Sequence, residues 1–213
     1  MSFLKSQRPL LTGLALILVM IAARMLVTGN VSYVFLAWNL LLAFIPLLSC
    51  HYATRAKSRG QRWAFGIVWI AFLPNATYLI TDLKHLPEPD GVRFWYDLML
   101  LYVSAAYGVA MAFASLRRMQ VFLRSHVPSR LMRWTTPVAM LACGYGMYLG
   151  RVERWNSWNV ITQPRGLLAA MFSHVRHPFR EAEAWGMSAL FAAALYVLYL
   201  LMPAQTGRSR IPS

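Results

Sequence analysis

Apolar residues run along the chain in six long stretches separated by polar segments, at roughly 10 to 27, 33 to 50, 63 to 81, 95 to 116, 134 to 150 and 185 to 203. A helix rising ~1.5 Å per residue needs about 20 such residues to cross ~30 Å of hydrocarbon. The pattern therefore predicts an all-α fold, a polytopic membrane helix bundle of six transmembrane helices. A single membrane domain fills residues 1–213, with a basic tail at 204–213. Lys5 and Arg8 precede the first run in the manner of a secretory signal, but the run is longer than a usual signal core and no small-x-small site precedes Arg24, so it reads as a retained helix.

The segment 151 to 184 is long for a membrane loop and carries its own periodicity. After Pro164, Leu167, Leu168, Met171, Phe172 and Val175 recur at helical spacing, while Arg165, Ser173, Arg176 and His177 fall away from that stripe. This predicts an amphipathic interfacial helix in the last outer loop, lying in the headgroup plane as a roof.

Composition agrees with a bilayer as the main solvent: 58% of the 213 residues are hydrophobic and 13% charged, more apolar surface than one soluble core hides. The net charge of +14 would suggest nucleic acid in a soluble protein. Mapped onto the spans, it becomes an orientation signal, because Lys and Arg are retained on the cytoplasmic side during insertion. With the N-terminus inside, the inner segments hold Lys5, Arg8, Arg55, Lys57, Arg59, Arg62, Arg117, Arg118, Arg124, Arg130, Arg133, Arg208 and Arg210 and no acid. The outer segments then hold the other eight cations and all seven acids, Asp82, Glu88, Asp90, Asp97, Glu153, Glu181 and Glu183. Trp63 and Trp134 mark inner helix ends, Trp95 and Trp185 outer ones. Both termini are thus expected in the cytoplasm, the basic face against anionic lipid headgroups, with no nucleic acid as partner. Cys50 and Cys143 both fall in or beside apolar stretches, which argues against a disulfide framework or a Cys-based zinc site.

Polar residues inside the spans carry the candidate chemistry. Asn39 lies about six residues below the start of its run and Asn75, after Pro74, about six below the end of its own, so the two sit at similar depth. An unpaired amide in hydrocarbon costs several kcal/mol, which predicts a mutual hydrogen bond or one to the carbonyl freed by Pro74. Such residues serve either as helix glue or as the lining of a site. Asn75, Tyr78 and Asp82 are spaced i, i+3, i+7, with His85 a turn later, so a continuous helix would stack them on one face. Asp97 lies just inside the fourth run, after Trp95 and Tyr96, at a depth where an ionisable group is a functional candidate. Its structural alternative is pairing with Arg151, Arg154 or Lys84.

Beyond the fifth run, residues 150 to 159 read Gly-Arg-Val-Glu-Arg-Trp-Asn-Ser-Trp-Asn. Arg151 and Arg154 offer forked donors for phosphate or carboxylate, Trp155 a flat face or an interfacial anchor, and Asn156 an amide. His174 and His177, spaced i and i+3, form with Asp82, His85 and Asp97 a weak candidate metal set, imidazole and carboxylate together suiting zinc, manganese or iron. No His-Glu-x-x-His, P-loop or serine-elbow pattern occurs.

Four strings taken in order, Leu36-Ala37-Trp38-Asn39, Phe72 through Leu83 (FLPNATYLITDL), Trp95-Tyr96-Asp97-Leu98, and Gly150-Arg151 through Trp158, resemble the DUF1361 family of bacterial predicted membrane proteins over approximately residues 30 to 200. Many relatives carry Pro where this chain has Thr77 and Asp where it has Asn159, departures that soften a kink and remove a possible carboxylate ligand. The resemblance implies a bacterial inner-membrane protein and brings no established reaction.

The expected site is an outer-face pocket of Asn39, Asn75, Tyr78, Asp82, His85, Asp97, Arg151, Arg154, Trp155 and Asn156 that binds a polar or anionic ligand. The alternative is an outer-leaflet hydrolase or transferase acting on a lipid or lipid-linked substrate, with Asp82 or Asp97 as general base, His85 as acid or metal ligand, and the arginines on phosphate. A transporter ranks last, because only scattered residues such as Ser104 and Tyr107 continue the polar path inward and no half-and-half symmetry is evident.

Overall fold

The computed structural model describes residues 8–88, 91–156 and 159–202, and these form helices and turns without a strand. The long helices are α1 (Arg8–Thr28), α2 (Val34–Ala53), α3 (Arg59–Tyr78) and α4 (Gly91–Leu123). A short α5 (Ser129–Met132) leads to α6 (Thr135–Arg151), a short α7 (Asn159–Thr162) to α8 (Pro164–Arg176), and α9 is Ala182–Leu201. Between α3 and α4 runs a 3-10 helix, Leu79–His85. The expected tail 204–213 lies outside the described residues, as do Lys5, Asp90 and Trp158.

Among the described residues, five helices are long and apolar enough to cross a membrane: α1, α2, α3 with its 3-10 extension, α4 and α9. The sixth expected span, α6, has 17 residues, which at 1.5 Å each is about 25 Å. Three boundaries differ from the expected ones for local reasons. Helix α3 starts at Arg59 because Ser58 and Gln61 form a capping box, the Gln61 N–H donating to Ser58 Oγ at 3.1 Å. Its α-helical part stops at Tyr78, where Thr77 and Thr81 hydroxyls donate to the carbonyls of Pro74 and Tyr78, each three residues back, and the chain tightens into the 3-10 form. Helix α4 runs 33 residues, about 50 Å, passing through Arg117 and Arg118, where the apolar run ends. Arginine is a good helix former, so loss of hydrophobicity does not end the helix.

Helix α4 is the most buried span and packs against α1, α2, α3 and the 3-10 helix, while α6 bridges α3 to α9. Glycines allow these approaches. A Cβ at Gly108 would lie 2.2 Å from the Ala76 carbonyl oxygen, one at Gly144 2.2 Å from that of Ser188, and one at Gly146 2.4 Å from Pro74 Cβ. Backbones in contact through small residues gain dispersion energy where apolar burial adds little, which is how helices associate in lipid.

Helix α8 departs from its expected role. Its apolar stripe splits into two: Leu167, Met171 and His174 face the protein, packing with a small cluster around Tyr148, Leu149 and Ala184, while Leu168, Phe172 and Val175 are exposed. The i, i+4, i+7 spacing of each set puts it on its own face, so α8 is held by the bundle on one side as well as offering an apolar face on the other.

Candidate functional site

The 3-10 helix places Asp82 where α2, α3 and α6 meet, and the carboxylate is 2% exposed. Asn39 donates to Asp82 Oδ2 at 2.9 Å, and Arg151 Nη2 to Oδ1 at 2.8 Å and to Thr81 Oγ1 at 2.6 Å. The guanidinium lies over the Tyr78 ring, 4.6 Å from its centroid, and Tyr78 OH donates to the Gly150 carbonyl at 3.3 Å. Arg151 ends α6, so its charge also sits at the negative end of that helix. Asn39 and Asn75 line one cavity, and the Asn39 amide nitrogen donates to Asp82, a partner that the depth argument did not name beside a mutual bond or the carbonyl freed by Pro74.

Beside this network is a cavity of about 140 Å³. Asn39, Asn75, Tyr78, Trp155 and Asn156 line it, with Pro74, Leu149, Val160 and Leu167 among its apolar walls. Five of the ten expected site residues therefore share one space. Asp82 and Arg151 are linked to it through Asn39 and Tyr78, each of which lines the cavity and holds one of the charged groups. The walls offer amides, a phenol and an indole face, with the two nearby charges neutralising each other.

Asp97, His85 and Arg154 are placed elsewhere. Because α4 begins at Gly91, Asp97 lies nearly two turns inside it and is fully buried. Its partner is Arg24 of α1, Nε to Oδ1 at 2.6 Å and Nη2 to Oδ2 at 2.9 Å, where Arg151, Arg154 or Lys84 was the expected one. Arg24 is 6% exposed, stands 4.0 Å from the Tyr33 ring centroid, and leaves Nη1 without a hydrogen bond. Sequence reasoning passed over it, although a lone arginine inside the run 10 to 27 carries the same signal as Asp97. Tyr33 OH donates to the His85 carbonyl at 3.2 Å. The His85 ring packs on Phe35, centroids 4.9 Å apart. Arg154 is exposed on a left-handed turn, φ 62°.

The candidate metal donors are dispersed in the same way. His174 is 2% exposed, 2.7 Å from Glu153 Oε1 through Nε2 and 2.8 Å from Tyr145 OH through Nδ1. His177 is exposed. Among the described residues, no three His, Cys, Asp or Glu side chains come together as a metal site. Trp155 joins this second cluster to the cavity: its indole N–H donates to Glu153 Oε2 at 3.0 Å while the residue lines the cavity wall.

No curated protein and no solved structure matches the chain. Residues 38–198 match the family described as protein of unknown function (DUF1361). The match spans all four of the quoted strings except Leu36-Ala37 and covers most of the sequence, so the chain belongs to the DUF1361 family.

Proposed function

We propose that the chain is a multi-pass protein of the bacterial inner membrane, crossing six times with both termini cytoplasmic, and that the cavity at its extracytoplasmic end binds a small polar or anionic ligand. The charge distribution supports the orientation: Asp82, Glu88, Asp97, Glu153, Glu181 and Glu183 sit at or beside one set of helix ends, and Arg55, Arg59, Arg62, Arg124, Arg130 and Arg133 at the other. Helix α6 completes the sixth crossing in company with α3 and α9. Anionic headgroups on the cytoplasmic leaflet complement the basic face.

The observation that carries the binding role is the convergence of Asn39, Asn75, Tyr78, Trp155 and Asn156 on one cavity. Concave, partly apolar spaces with a few convergent polar groups are the usual form of small-ligand sites. A binding role is favoured over catalysis because both candidate general bases, Asp82 and Asp97, accept hydrogen bonds from arginine. The test is thermal unfolding of the detergent-purified chain with glucose, serine, glycerol 3-phosphate or inorganic phosphate, beside an Asn75→Leu variant. Stabilisation by one probe that is lost in the variant supports the reading. No shift with any probe, or an equal shift in the variant, sinks it.

A further inference from the structure

A second cavity, about 300 Å³, lies between α1 and α4 and belongs to no site described above. Ala23 and Val27 wall it from α1 and Val92 and Tyr96 from α4, and the surface it presents is apolar. At about 30 Å³ for a water-sized group, it has room for roughly ten such groups in a row or cluster. No α2 residue lines it, although α2 is α1's other neighbour, so it opens on the flank of the α1–α4 pair away from α2. In a bilayer that flank faces lipid.

The charges around this slot are graded along its length. The Arg24–Asp97 pair lies at its buried end, its ionic bonds internal. Arg93 also lines it, four residues before Asp97 and therefore on the same face about 6 Å nearer the helix end. Arg93 is exposed, and no described residue forms an ion pair with it. Trp95, 62% exposed two residues on, marks the headgroup level. A cation at the headgroup level above an apolar slot is complementary to phosphate above an acyl chain.

We infer that this slot is a binding site for an anionic phospholipid, one acyl chain lying between Val27 and Tyr96 and the phosphate against Arg93. The experiment compares phosphatidylglycerol and phosphatidylcholine, each spin-labelled on one acyl chain, in bilayers containing the full chain. An immobilised component favouring phosphatidylglycerol is expected for wild type. Arg93→Ala should cut that preference roughly fivefold, the effect of one cation near a lipid surface. Val92→Trp should abolish the preference for phosphatidylglycerol by filling the slot, leaving the immobilised boundary lipid equal for the two headgroups; Val92 is 87% exposed, so the change leaves the core intact. Ala23→Trp is a second filling variant from the opposite wall. Equal association of the two lipids in wild type, or an undiminished preference in Arg93→Ala, overturns the proposal. So does inorganic phosphate that stabilises lipid-free protein as well as phosphatidylglycerol does, since the occupant would then be the free anion.

Discussion

Removing one partner of the Arg24–Asp97 pair should destabilise the chain more than removing both. The pair is bidentate, with side-chain exposures of 6% and 0%, and Asp97→Ala would leave a guanidinium buried with only the Tyr33 ring beside it. Stranding one ion of a buried pair costs about 3–5 kcal/mol, whereas replacing both by apolar residues of similar volume is often neutral. At roughly 2–4 °C per kcal/mol for a chain of this size, Asp97→Ala should lower the unfolding midpoint by about 6–20 °C. The double variant Arg24→Leu, Asp97→Leu should recover most of that loss. The assay is thermal or SDS-driven unfolding of detergent-purified protein, with Arg24→Leu alone as the complementary single variant. A midpoint within about 2 °C of wild type for Asp97→Ala would refute the burial argument. A double variant worse than either single one would show that the charges are needed for something other than each other.

Gly144→Leu should lower stability by roughly 1–3 kcal/mol or prevent accumulation, because its Cβ would lie 2.2 Å from the Ser188 carbonyl oxygen. Gly66→Ala, with open space at the same point, should match wild type in the same unfolding assay. Glu88→Cys should react with a membrane-impermeant maleimide in intact cells and Arg130→Cys only after permeabilisation, in a background with Cys50 and Cys143 replaced; the reverse pattern would invert the proposed topology. His174→Ala removes a buried imidazole bonded to Glu153 and Tyr145, costing about 1–3 kcal/mol and loosening α8. Trypsin cleavage at Arg165 and Arg176 should then accelerate about 5- to 150-fold, and unchanged cleavage would show that α8 is held by its apolar face alone.

The helices were legible because apolar length and periodicity announce them, while the side that charge alternation assigns to each loop belongs to the proposed topology. What escaped was local. A capping box outside the apolar run moved the start of α3, and threonine back-bonds turned its end into a 3-10 helix, so the even spacing of Asn75, Tyr78, Asp82 and His85 did not produce one face. Depth along the spans brought Asn39 and Asn75 to one cavity, since helices crossing the same slab compare directly. Depth did not tell which helices are neighbours, so Asp97 was offered Arg151, Arg154 or Lys84 and not Arg24. Arg24 was hidden because it was counted among the charges of outer segments and helix ends rather than as an ion buried with its partner. His174 shows the same limit, since an i, i+4, i+7 set with Leu167 and Met171 reads as an apolar stripe only if histidine is admitted to it.

The two ion pairs are distinct, yet one short element touches both. Midway along it the 3-10 helix gives Thr81 and Asp82 to Arg151, and at its end the His85 carbonyl accepts from Tyr33, whose ring covers Arg24. A 3-10 helix lacks the strong hydrogen-bond geometry of an α-helix and seldom persists beyond a few residues unless its surroundings hold it. Here seven residues persist, with Leu79 and Asp82 buried, one tether at the middle and one at the end. The threonine back-bonds start the 3-10 form, and the two charge clusters hold Asp82 and the His85 carbonyl within it. Asn39 connects this segment to the 140 Å³ cavity, because it lines the cavity wall and donates to Asp82.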